Sequence, residues 1–162
     1  MNRVTKLGSS LLALLVLTNG TPAFASQDGD TAIIEKFLAQ QAADEGGSEY
    51  SGARKIVKGD LTNDGVPDTV VLYTIEGQQG TNNYLQYLAV FARVNGRLQL
   101  RAHTSVGGIR WRSIELKSVA QNSIKLNTLD YAENDGVCCP SIKGRTSYVL
   151  TGRKLRERKT RA

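Results

Sequence analysis

The chain of 162 residues carries 21 basic and 15 acidic side chains, a formal charge of +6. Setting aside a leader of 25 residues leaves 137, enough to bury one core and no more than one domain's worth. The excess charge lies at one end, with six basic residues and Glu157 alone from Arg153 onward, against 13 basic and 14 acidic groups in residues 26–152; no nucleic-acid motif accompanies it and no aromatics interleave with it, which excludes nucleic acid as an expected partner.

Arg3 and Lys6 precede a short apolar stretch, residues 7–17, and residues 18–25 lead to Ala23-Phe24-Ala25, a small-x-small cleavage site. The apolar stretch falls short of the about 20 residues that a spanning helix needs, and polar Thr18 to Pro22 interrupt it. The chain is therefore expected to lose residues 1–25 and to work in the periplasm or as a secreted protein, with no transmembrane segment in what remains. Asp30 is placed to cap a helix running to about Ala43, with Ile33, Ile34, Phe37, Leu38 and Ala42 on one face and Gly46-Gly47-Ser48 ending it. Its polar face mixes Glu, Lys and Gln, which suits packing on a sheet rather than in a membrane.

Strands follow. Residues 54–59 and 69–76 flank an acidic loop and are expected to pair antiparallel. Residues 83–94 are apolar on both faces through Leu85, Tyr87, Leu88, Val90 and Phe91, the pattern of a central strand covered on both sides. Asn95-Gly96 is a hairpin signal. Beyond it Leu98, Leu100, Ala102, Thr104 and Val106 alternate with Gln99, Arg101, His103 and Ser105, so one face of that strand is wet. After Gly107-Gly108 a second hairpin is predicted from residues 109–119 and 123–131, with a bulge between Trp111 and Ile114 where the apolar phase shifts. Residues 132–144 form a loop, and residues 145–151 and 154–158 form a last hairpin fraying into a basic tail. The predicted fold class is α+β: one N-terminal amphipathic helix packed on a mainly antiparallel meander sheet of about seven or eight strands. Residues 26–152 make a single domain, and residues 153–162 its strand end and tail. One acidic loop, without repetition, excludes a propeller, which needs at least about four blades.

That loop, Asp60-Leu61-Thr62-Asn63-Asp64-Gly65-Val66-Pro67-Asp68, spaces three carboxylates around a glycine turn. Asp60, Thr62, Asp64 and Asp68 offer side-chain oxygens and Val66 its carbonyl, the hard ligands that Ca²⁺ takes. An EF-hand is excluded, because its bidentate Glu position falls on Val71 inside a strand. A plain turn competes: Asn63-Asp64-Gly65 tolerates positive φ, Asp60 can form an Asx-turn, and Pro67 stiffens the exit. If an ion binds, the neutral hydroxyl of Thr62 makes its affinity modest, around 10⁻⁴ M or weaker, and its role structural.

Cys138-Cys139-Pro140 holds both cysteines. An oxidising compartment favours pairing them. Adjacent Cα atoms lie about 3.8 Å apart, below the usual disulfide span, so a vicinal bond closes a tight ring, comparatively easy to reduce, and cross-links almost no chain. A vicinal disulfide, two thiols and an intermolecular bridge stay open as alternatives. The Cys-x-x-Cys spacing of redox enzymes is absent, and no ligand spacing supports a metal on Cys138, Cys139 and His103. His103, the only histidine, reads as a solvated surface residue without a nucleophile context. Glu133 and Asp135, with Asp130 nearby, offer carboxylates for acid–base work, and an ordinary loop explains them equally well. Tyr84, Tyr87 and Trp111 read as strand core in preference to a ligand groove. The basic tail suits anionic lipid headgroups, envelope polysaccharides or an acidic protein, and a disordered solubilising end competes with all three.

Residues 59–68 running into Val70-Val71-Leu72-Tyr73-Thr74, then residues 82–91, then Cys138-Cys139-Pro140-Ser141 resemble a group of small secreted bacterial proteins of unknown function. The acidic loop itself resembles the calcium loops of FG-GAP-type repeats, which usually carry Asp or Asn where Thr62 stands. The resemblance covers residues 59–144 and implies no established activity. Two function classes follow. One is an exported non-catalytic envelope protein that binds a protein or glycan through its exposed sheet face. The other is a small extracytoplasmic hydrolase or redox protein centred on Cys138 and Cys139, with Glu133, Asp135 or His103 assisting. The lack of a nucleophile–base arrangement in the sequence favours the first, by fold-level analogy with inhibitor and immunity proteins.

Overall fold

The computed structural model describes residues 27–120 and 122–159; the expected leader with Ser26, Gln121 and residues 160–162 lie outside the described residues. Within them, one helix and nine strands follow in order: α1 (Gln27–Asp44), β1 (Ser48–Glu49), β2 (Lys55–Gly59), β3 (Asp68–Glu76), β4 (Tyr84–Val94), β5 (Arg97–Gly108), β6 (Arg112–Ala120), β7 (Ser123–Asp130), β8 (Ile142–Thr151) and β9 (Lys154–Lys159). Every pairing is antiparallel, and strands neighbour one another in chain order from β3 to β9. β1 and β2 share the remaining edge of β3. The antiparallel meander with one helix is thus as the alternation of apolar residues predicts. The extra strand is β1, whose two residues, Ser48 opposite Glu76 and Glu49 opposite Ile75, are too short to show a period.

The meander bends sharply in the middle. β5 and β6 pair only at Gly108 with Arg112. Past that point the second half of the sheet lies over the first, and the core forms between them. Leu61, Val70, Leu72, Leu88, Val90 and Val106 from the first half join Ile114, Leu116, Val119, Ile124, Leu126 and Tyr148 from the second in one buried cluster. Each large apolar side chain removed from water there contributes ~1.5–3 kcal/mol. The other face of the first half carries Val71, Tyr73, Ile75, Tyr87, Ala89, Phe91 and Leu98, clustered with Ile34 and Leu38 of α1. β4 contributes to both clusters and is covered on both faces.

The bend leaves the edge of β6 that faces β5 without a ladder beyond Arg112, and a side chain fills the gap. Gln86 of β4 donates its amide to the carbonyl of Ile114 at 3.2 Å and accepts the Ile114 N–H at 2.7 Å. One glutamine thereby satisfies both backbone groups of a buried strand residue, groups that would each be costly to leave unpaired. Gly107 makes the approach possible, since a Cβ there would lie 2.7 Å from the Arg112 carbonyl oxygen and 2.8 Å from Ile114 Cγ1.

Three local expectations change. Asp30 lies inside the first turn of α1 instead of capping it, where its carboxylate pairs with Arg93 of β4. The bulge falls at Leu116/Ser118. Trp111 precedes β6 in the tight turn after β5, so the phase shift seen in the sequence marks the start of a strand. Arg54 ties α1 to β1: its guanidinium donates to Glu49 at 2.9 and 2.8 Å and also pairs with Glu35. No helix among the described residues is long and apolar enough to cross a membrane.

Candidate functional site

The acidic loop is tied by its own amides. Asp68, 1% exposed at the start of β3, accepts the N–H groups of Leu61 and Thr62 on one oxygen, both at 2.8 Å. Asp60 accepts from Asp64 N–H at 3.2 Å and Gly65 N–H at 2.9 Å, and Asp64 accepts from Val66 N–H at 2.8 Å. Asn63 and Gly65 both take positive φ, 59° and 80°, as a tight turn through those residue types allows. Leu61 points into the core between the sheet halves, which explains why the loop is so closely held. The Thr62 hydroxyl is buried without a hydrogen-bond partner. Among the described residues no three Asp, Glu, His or Cys side chains gather as metal ligands. The donors are nevertheless all hard oxygens, the chemistry that fits Ca²⁺.

Cys138 and Cys139 form an exposed vicinal pair on the loop between β7 and β8, with Cα atoms 3.8 Å apart. Asp135 organises that loop. It accepts from Ala132 N–H at 2.8 Å, Ser141 N–H at 2.9 Å and the Ser141 hydroxyl at 2.9 Å. The Ala132 amide, together with those from Ser141, outweighs a slight desolvation and holds the carboxyl below its ordinary range. Tyr131 donates to the Val137 carbonyl at 2.5 Å, and Cys139 N–H to that of Gly136 at 2.9 Å. None of these ties runs through sulfur. Glu133 is exposed on the same loop.

His103 lies on β5, its ring edge-on to Phe37 of α1 at 5.6 Å. Its contacts and those of the cysteine loop share no residue among those described. Of the aromatics, Tyr87 is buried and stacked on Tyr73 at 5.2 Å, with burial and Glu45 pushing its hydroxyl up to about 12. Tyr84 is half-buried. Trp111 is not core: it is 44% exposed, with the Arg112 guanidinium 4.9 Å from its ring centre.

The larger surprise is a partly buried ionic cluster. Arg112, at the start of β6, donates to the Val106 carbonyl at 2.7 Å, to Glu157 at 2.7 Å and to the Tyr148 hydroxyl at 3.1 Å. Thr146 also donates to Glu157, at 2.8 Å. Burial pushes the Glu157 carboxyl up, but Arg112, Thr146 and Tyr148 together hold it below its ordinary value. Arg112 and Glu157 are 45 residues apart, so nothing local in the sequence announces the pair. A period-2 signal does exist in Lys154-Leu155-Arg156-Glu157-Arg158, which sets Leu155 and Glu157 on the side away from the three cations.

The basic end runs as strand β9 as far as Lys159. It closes a sheet face, on β6–β9, that looks away from the core. A shallow groove of about 370 Å³ crosses that face, lined by Ser113, Glu115, Asn127, Leu129, Lys143 and Arg145 among others. Compared with known protein families, curated proteins and solved structures, the chain finds no match.

Proposed function

We propose that this is an exported, non-catalytic envelope protein that binds a protein or glycan through the outer face of β6–β9. One observation carries the reading. That face is an open, grooved, polar surface, whereas the groups that chemistry would need are scattered or already engaged. His103 of β5 abuts Phe37 of α1, the Asp135 carboxylate is taken up by three donors, and neither Cys138 nor Cys139 lines the groove on β6–β9. In this reading α1 braces the opposite side of the sheet. Cys138 and Cys139 form a vicinal disulfide that stiffens its own loop, and the acidic loop is architectural.

Ca²⁺ belongs to that architecture as an ion whose ligands would be Asp60, Thr62, Asp64, Asp68 and the Val66 carbonyl. The donor chemistry supports it, together with the buried Thr62 hydroxyl, which has no other partner. Such an ion would fix the register of β2 on β3 and take no part in a reaction.

Complementation of a deletion strain separates the two function classes. Alanine at His103, Glu133 and Asp135 is expected to restore the wild-type phenotype in full, and charge reversal at Lys143 and Arg145 to fail. The opposite pattern would establish the enzyme or redox class.

A further inference from the structure

The occupant of the β6–β9 face is the question the fold leaves open, and we infer that it is a linear acidic polysaccharide. The inference rests on the binding reading above and names its ligand class.

Register decides which side chains share the outer face. Lys125 lies beside Ser147, and Ser147 beside Arg158; Asn127 lies between Glu115 and Arg145; Leu129 lies between Ser113 and Lys143; Val149 lies beside Arg156. Lys125, Lys143, Arg145, Arg156 and Arg158 are all exposed, and none enters an ion pair among the described residues. Glu115 is the one carboxylate in these rows. The acids that might have neutralised them sit on the other side of the same strands, Glu157 held by Arg112 and Asp130 accepting from Thr128 at 2.9 Å. On these strands the exposed cations thus outnumber the one outward carboxylate, while Glu157 is paired with the inward Arg112.

Geometry and composition then choose the partner. Neighbouring strands are about 4.8 Å apart, and same-face residues along a strand about 7 Å. The backbone positions of neighbouring cations are thus roughly 7–10 Å apart, a spacing that suits a chain presenting anions in series. No aromatic stands in these rows to stack a base, as single-stranded nucleic acid requires. Val149 is buried, so Leu129 and Ala120 are the apolar side chains exposed in these rows, too few to anchor in a bilayer interface or to form the dry centre of a protein interface. Between the cations stand Ser113, Asn127, whose amide donates to Glu115 at 2.9 Å, and Ser147, whose hydroxyl donates to the Arg158 carbonyl at 3.3 Å; the Asn127 carbonyl and the serine hydroxyl oxygens remain as neutral acceptors for sugar hydroxyls.

The test is binding of the full chain to polygalacturonate by calorimetry, with neutral dextran, phosphatidylglycerol vesicles and single-stranded DNA as comparison probes. Affinity for polygalacturonate is expected to fall at least about tenfold as salt rises from about 50 to about 200 mM, because counterions are released on binding. The variant K125E/K143E/R145E/R158E is expected to lose at least about tenfold. A control with the same charge change elsewhere, K36E/K55E/K58E/R97E, is expected to lose less than about threefold. Circular dichroism verifies both folds, and K143A/R145A replaces the fourfold variant if that one fails to fold. Equal losses in the two variants would overturn the face, leaving only net charge. Preference for vesicles or DNA, or no binding to polygalacturonate, would overturn the ligand class. Dextran binding lost in K143A/R145A but insensitive to salt would keep the glycan reading and overturn the acidic one.

Discussion

Replacing Asp68 by alanine measures whether hydrogen bonds alone build the acidic loop. Asp68 is 1% exposed and accepts from Leu61 and Thr62, and the Leu61 side chain is 1% exposed in the core. Alanine removes the acceptor from both amides while admitting little water to Leu61. An unpaired buried polar group costs about 1–3 kcal/mol, and here one amide is buried and the other partly so, which gives a loss of about 2–4 kcal/mol. Asparagine keeps an acceptor oxygen and forfeits mainly the charge assistance, so its expected cost is about 1 kcal/mol. Urea unfolding followed by circular dichroism, first in chelator and then in millimolar Ca²⁺, reads both values. A loss below about 0.5 kcal/mol for Asp68→Ala in chelator would refute the hydrogen-bond account. A loss that appears only with Ca²⁺ present would instead make Asp68 a ligand first.

Three further outcomes follow from the same contacts. Gln86→Ala strands both backbone groups of Ile114 and is expected to cost about 2–4 kcal/mol in urea unfolding; Gln86→Leu, which adds apolar bulk but no partner, is expected to do no better. Glu157 has a folded pKa below its unfolded value, so its contribution is complete above about pH 4.3 and fades as pH falls through the folded value. Glu157→Gln should therefore be less stable at neutral pH and show a flatter acid limb in a series of melts from pH 7 downward, and an unchanged limb would exclude the Arg112 pairing. Cys138→Ser with Cys139→Ser would remove the proposed vicinal bond, which closes almost no chain, and is expected to shift unfolding by no more than about 1 kcal/mol. Intact mass before and after alkylation checks that the wild-type pair is oxidised.

Local pattern was enough for most of the strands, because their signals are local. Residues 83–94 read as a doubly covered strand and are one, since apolar residues on both faces leave no wet side. Asn95 and Gly96 take the positive φ values that a tight hairpin turn demands, 51° and 76°. The bend was not legible. Gly107-Gly108 announces a break, but the stacking of the two sheet halves depends on Gln86 meeting Ile114 28 residues away. The basic face escaped for a related reason: Lys125, Lys143 and Arg158 are far apart in sequence and become neighbours only through the register of two successive hairpins. Counting charges along the chain suggested a tail, whereas pairing turns them into a surface. The acidic loop was visible as a turn at once, yet its ambiguity persists, because the same carboxylates that can hold an ion also satisfy backbone amides.

The claim on which the account depends most is that ligand meets the protein on the outer face of β6–β9. Heteronuclear NMR mapping of the full chain during titration with polygalacturonate tests it residue by residue. The largest amide shifts are expected at Lys125, Asn127, Lys143, Arg145 and Arg158. Shifts gathered instead around Asp135, Cys138 and Cys139, with that face unmoved, would contradict it.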